Sequence, residues 1–172
     1  MIQVREKDLD GGPLLRLTET ILRAAAGRAP VLVNDRLDVA LAAQAAGVHL
    51  PASGLDVGAV RRQVGPTVMI GRSVHSVSSA RAAENEGADF VLFGPVFETA
   101  SKAAYGPPQG VEVLRRVVEA VRIPVWAIGG ITSETAKALR GLPIAGVGAI
   151  GAIAEAADAA TAVRALLEAI SA

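Results

Sequence analysis

Short apolar runs alternate along this chain with longer segments whose apolar residues recur at helical spacing. The runs fall at residues 2–5, 31–33, 48–50, 68–70, 90–93, 125–128 and 145–149. They show little polar alternation, the pattern of strands buried on both faces. Between them the spacing predicts helices over 13–27, 35–46, 56–64, 76–86, 110–121, 133–140 and 158–170. Pro13 suits a first helical turn, and Gly27, Gly47, Gly65 and Gly87 suit helix ends. Repeated strand-then-helix units imply a parallel sheet, because parallel strands need a crossover connection. The expected fold is α/β, a TIM-type (β/α) barrel, with residues 1–172 as a single domain and no linker.

Seven βα units are legible, whereas a closed barrel of this type has eight. The chain opens directly on a strand, so the first βα unit is expected to precede Met1. A gap beside strand 1 leaves edge groups and apolar surface to cover. The expectation is a homo-oligomer, or a rearranged terminus, that supplies the cover.

Composition narrows the class. The apolar fraction is 51%, too high for disorder, yet only three Phe, one Trp and one Tyr occur. Lys+Arg and Asp+Glu balance at 17 each, so neither nucleic acid nor an anionic membrane is an expected partner. There is no cysteine, and no apolar run approaches the roughly 20 residues of a membrane span. The start reads as a strand, not a secretory leader. A cytoplasmic enzyme acting on a small molecule is expected.

In a βα barrel the chemistry gathers at the C-terminal strand ends. Each strand here ends in polar or glycine-rich residues. Gln3, Arg5 and Lys7 alternate and so share one face, and a barrel-facing Arg5 buried there would need an anion. Its bland alternative is a salt bridge to Glu6 or Asp35. Asn34-Asp35 reads either as a helix cap or as a ligand contact. His49, His75 and Glu98 are acid/base candidates, and the two histidines are the only ones in the chain. No third strong ligand has a spacing suited to zinc. Thr99, Ser101 and Lys102 open the longest loop and suit an anion, and Tyr105-Gly106-Pro107-Pro108 reads as a lid or turn. Gly129-Gly130, and Ile150-Gly151 on the next strand, suit a phosphate approaching bare amides, or simply tight turns.

These residues resemble the thiamine phosphate synthase and thiazole tautomerase superfamily. The likeness rests on Ile2-Gln-Val-Arg-Glu-Lys-Asp-Leu9, Val33-Asn-Asp-Arg36, Gly47-Val-His-Leu50, Ile70-Gly-Arg-Ser-Val-His-Ser76, Val91-Leu-Phe-Gly-Pro-Val-Phe-Glu-Thr99 and Ala127-Ile-Gly-Gly-Ile131. It implies a (β/α)8 barrel with one βα unit before the Gln-Val-Arg-Glu-Lys strand. For a synthase it implies that Arg5, Lys7, Asn34, Ser73 and Lys102 hold pyrophosphate. Thr99, Ser101, Gly130, Ile150 and Gly151 would hold a thiazole phosphate, and Asp35 would be a Mg2+ ligand.

Two positions depart from the family pattern. The synthase usually carries an acidic metal ligand where Gly54 stands, and the Leu50-Pro-Ala-Ser-Gly54 stretch resembles the tautomerase (TenI-type) branch, which needs no metal or other cofactor. The tautomerase pattern carries a catalytic histidine where Pro95 stands, leaving His49, His75, Glu98 or Lys102 to move the proton. The first expectation is a thiazole tautomerase, an aromatising isomerase. The alternatives are thiamine phosphate synthase with Mg2+, and a non-catalytic relative that binds thiazole phosphate.

Overall fold

A computed structural model of the chain describes residues 1–99 and 107–171. Strands β1 (Ile2–Val4), β2 (Val31–Asn34), β3 (Gly47–Leu50), β4 (Met69–Val74), β5 (Phe90–Phe93), β6 (Val125–Ile128) and β7 (Gly146–Gly148) follow one another in chain order. Helices α1 (Gly11–Ala25), α2 (Leu37–Ala42), α3 (Val57–Val64), α4 (Val77–Asn85) and α5 (Gly110–Ala120) connect them, then a 3-10 helix (Thr135–Leu139). Helices α6 (Gly151–Ala154) and α7 (Ala159–Ser171) follow β7. This is the α/β order of a TIM-type fold with seven βα units.

The chain divides into two compact units, Met1–Ser73 with Asn85–Asp89, and Val74–Glu84 with Phe90–Ala172. In the first, β1 pairs with β2, β2 with β3 and β3 with β4, all parallel. Val31, Leu32, Val33, Val48, Leu50 and Ile70 of these strands are buried, as are Leu14, Val39, Val57 and Val60 of the helices. Each buried aliphatic side chain stabilises by about 1.5–3 kcal/mol. Gly47 is needed for strand approach, since a Cβ there would lie 2.0 Å from the Met69 carbonyl oxygen. The start of β4 is clamped by Arg61. Its guanidinium donates to the carbonyls of Gly65 (2.6 Å), Val68 (2.9 Å) and Gly87 (2.9 Å) and meets Asp89 at 2.5 Å. Asp89 in turn accepts from the Ile70 amide at 2.7 Å.

In the second unit β5 pairs with β6 and β6 with β7, again parallel. Phe90, Val91, Phe93, Val125 and Ala127 are buried, together with Ala80, Ala83, Leu114 and Val117.

Several expected bounds shift. β5 and β6 fall on their predicted residues, while β4 runs on past Ile70 to Val74, with Gly71 and Arg72 still paired to β3 opposite His49 and Leu50. Helix α2 is shorter than predicted: Asp35 (φ +65°) and Gln44 (φ +54°) take left-handed conformations on either side of it. The 133–140 segment forms a 3-10 helix, and a short helix the sequence did not suggest follows β7. No described helix is long and apolar enough to cross a membrane.

Candidate active site

The first unit assembles its polar strand tips through side-chain contacts. Gln3 Nε2 donates to Asn34 Oδ1 at 3.0 Å. Neither Asn34 nor Asp35 is the helix cap of the bland reading; the N-cap of α2 is Arg36, and no side-chain cap bond forms there. Asn34 stands opposite His49 in the ladder, and the Asp35 amide donates to the His49 carbonyl at 2.8 Å. His49 Nε2 lies 2.8 Å from Ser73 Oγ. Gly71, the β4 register partner of His49, carries no side chain.

His49 is 2% exposed. Burial first, and then the nearby Arg72 cation, push its pKa down from 6.5 to about 4. It is neutral at pH 7. Arg72 itself is held by the carbonyls of Leu55 (2.7 Å) and Ala52 (3.1 Å), which ties the 51–55 turn to β4.

The premise of a buried Arg5 is corrected. β1 ends at Val4, so Arg5 and Lys7 lie beyond the ladder and are exposed. Among the described residues no ion pair holds either, so the salt bridge to Glu6 or Asp35 is not formed. Both cations stand in solvent, within reach of an anion.

The second unit relies on backbone. The Val96 and Phe97 amides donate to the carbonyls of Ile128 (2.9 Å) and Gly129 (3.0 Å). Gly129 (φ +96°) and Gly130 (φ +66°) are required by this contact. A Cβ at Gly129 would lie 2.5 Å from Pro95 Cα, and one at Gly130 would lie 2.4 Å from the Glu98 carbonyl oxygen. Thr135 Oγ1 donates to the Gly130 carbonyl at 2.8 Å, fixing the turn from the other side. Ile150 precedes the four-residue α6, and a Cβ at Gly151 would lie 3.1 Å from Glu155 Oε1. Glu98 is exposed and Thr99 half-buried. Ser101, Lys102 and Tyr105 lie outside the described residues.

His75 is exposed, and its Nδ1 is hydrogen-bonded to the Gly94 carbonyl. A carbonyl only accepts, so Nδ1 carries a proton and the neutral ring keeps its lone pair on Nε2. Proton transfer through Nε2 is thus open to His75.

The residues present do not fit a resident Mg2+. No group of three or more His, Cys, Asp or Glu among the described residues is placed to hold a metal. Asp35 has Gly54 beside it, where a Cβ would lie 2.9 Å from Asp35 Oδ1. A side chain at 54 would thus face the Asp35 carboxylate, but glycine supplies no ligand, and one carboxylate is too little to hold Mg2+ without the phosphates of a substrate.

Residues 1–153 match the family described as "TMP-TENI: Thiamine monophosphate synthase". The chain belongs to this family. It is 49% identical over 138 residues to the thiamine-phosphate synthase of Anaeromyxobacter dehalogenans, covering 80% of this chain and 62% of the relative. It is 42% identical over 167 residues to a putative thiamine-phosphate synthase of Geobacter sulfurreducens, covering 96% of this chain and 78% of that one. The solved structure of a thiamine phosphate pyrophosphorylase from Pyrococcus furiosus superposes with a TM-score of 0.89 at 34% identity, covering 98% of this chain and 81% of that one. The family expectation therefore holds. The lean toward the tautomerase branch finds no support in these relatives, two of which carry the synthase name and one the pyrophosphorylase name.

Proposed function

We propose that this chain is a thiamine biosynthesis enzyme that joins a pyrimidine pyrophosphate to a thiazole phosphate and releases pyrophosphate. The observation that carries the reading is the family match over residues 1–153. The first unit supplies what the departing group demands. Pyrophosphate concentrates negative charge as it leaves, and cations and hydrogen-bond donors aimed at that charge stabilise the transition state. Arg5 and Lys7 offer the charges, and Gln3, Asn34 and Ser73 the polar contacts. Thr99, Ser101 and the turns at Gly129-Gly130 and Ile150-Gly151 are assigned to the thiazole phosphate, and Lys102 to pyrophosphate. Asp35 alone does not hold the Mg2+ of the family's synthases in the free protein; the ion would come with the substrate's phosphates, and Arg5 and Lys7 share the charge with it in this reading.

A second reading, the aromatising thiazole tautomerase, draws on two observations. Gly54 beside Asp35 favours a reaction that needs no metal, and the Nε2 of His75 is open for proton transfer.

One experiment separates the two. The protein is mixed with both synthase substrates while pyrophosphate release is followed. A parallel sample receives the non-aromatic thiazole carboxylate phosphate, and its absorbance is followed. Release in the first sample with no change in the second is expected. Aromatisation alone would replace the synthase reading with the tautomerase one. Binding of thiazole phosphate without turnover in either sample would leave a non-catalytic relative.

A further inference from the structure

Thr18 and His49 are the buried polar side chains among the described residues, and they differ in kind. Thr18 closes locally on the Leu14 carbonyl one helical turn away, at 2.8 Å. His49 reaches 24 residues along the chain to Ser73, the last β4 residue of its unit and one assigned above to pyrophosphate. Burying an imidazole costs free energy that a valine at the same strand position would not, so its bond to Ser73 calls for a reason.

The reason lies in the direction of that bond. A serine hydroxyl has one proton to give. If Ser73 donates to Nε2, its oxygen shows a ligand only lone pairs, which repel an anion. If Nε2–H donates to Ser73 Oγ, the serine proton is released to point outward. We propose that His49 is a positioning residue: its Nε2–H donates to Ser73 Oγ and turns the serine hydroxyl proton toward the bound pyrophosphate. The proposal rests on the synthase reading of Ser73. The ring stays neutral throughout and moves no proton. The low pKa imposed by burial and Arg72 keeps it so across the neutral range. Acid/base work at neutral pH is thereby removed from His49, one of the candidates named from the sequence.

The test has two arms. In the first, the ring nitrogens of His49 are assigned by 15N NMR in the free protein at pH 7.5. An Nε2–H tautomer is expected, and an Nδ1–H tautomer overturns the proposal. In the second, inorganic pyrophosphate is titrated into wild type, Ser73→Ala, His49→Ala, His49→Gln and the Ser73→Ala/His49→Ala double variant. Losing a hydrogen bond to a charged group weakens binding about tenfold. A loss of about that size is expected for Ser73→Ala and for His49→Ala. The double variant should bind no worse than Ser73→Ala alone, because the two residues act as one unit. The Gln side chain keeps an N–H donor and a similar volume, so His49→Gln should recover most of the affinity. Additive losses, or a Gln variant as weak as the Ala one with an intact melting curve, overturn the proposal. Wild type that binds no pyrophosphate refutes the synthase reading instead. The imidazole tautomer then decides the His49–Ser73 bond alone, Nε2–H supporting its direction and Nδ1–H overturning it.

Discussion

In the first unit the candidate residues hold one another: Gln3 holds Asn34, and His49 holds Ser73. In the second, Gly129 and Gly130 are held by main chain, with the Pro95–Glu98 segment lying where their side chains would be. One unit arranges donors on a finished β ladder and charges just beyond its first strand. The other uses absent side chains to bring two stretches of backbone together. Substitution should therefore separate chemistry from folding in the first unit and fuse them in the second.

The sharpest break in that comparison is at Gly130. A Cβ there meets the Glu98 carbonyl oxygen at 2.4 Å, on backbone whose φ of +66° already disfavours a side chain. Gly130→Ala should destabilise by about 2–4 kcal/mol, seen in thermal unfolding as a fall of roughly 5–15 °C. An unchanged melting curve would show that the turn is not packed as described.

His49 tests whether the first unit keeps its chemistry apart from its folding. Its folded pKa of about 4 lies below the 6.5 of the exposed imidazole. Between these values the unfolded chain binds a proton that the folded chain refuses. Stability from this group is complete above about pH 6.5 and falls as the pH drops toward 4, by roughly 3 kcal/mol in all. Denaturant melts of wild type and His49→Gln at pH 7.5 and pH 4.5 should differ, with the variant losing less stability on acidification.

Arg5 should behave in the opposite way to Gly130. It is exposed and without an ion-pair partner among the described residues, so Arg5→Ala should change stability by less than about 0.5 kcal/mol while slowing pyrophosphate release by about a hundredfold. A smaller effect belongs to Gln3, whose exposed bond to Asn34 is worth about 0.5 kcal/mol. Gln3→Ala should weaken pyrophosphate binding by about two- to threefold, measured by calorimetry. Smallest of all is the response to Mg2+ itself. With Gly54 beside Asp35, millimolar Mg2+ added to the free protein should shift the melting temperature by less than about 1 °C.

What could be read from sequence follows the same division. Phe90–Phe93 and Val125–Ile128 were legible because uninterrupted apolar runs between punctuating residues have few other uses. The helix start at Asp56 was legible because the cap is local: its Oδ1 accepts from the Ala59 amide at 2.7 Å. The run of β4 past Ile70 was not, because the pairing of Arg72 with Leu50 is a property of the neighbouring strand. Nor was the His49–Ser73 bond, which needs the β3–β4 register to bring together residues 24 apart. Motif spacing placed Arg5, Asn34 and Ser73 at strand ends, but the exposure of Arg5 depends on where β1 stops, and short strands leave that end poorly marked. The glycine turns were visible as glycines. Their contact with the 95–98 segment required the structure.

The measurement that bears most directly on the account is pyrophosphate release from the two substrates, compared for wild type and Arg5→Ala. Steady release by wild type is expected, with a loss of about two orders of magnitude in a variant that melts at the same temperature. Equal rates for the two proteins, or no release by folded wild type, would contradict it.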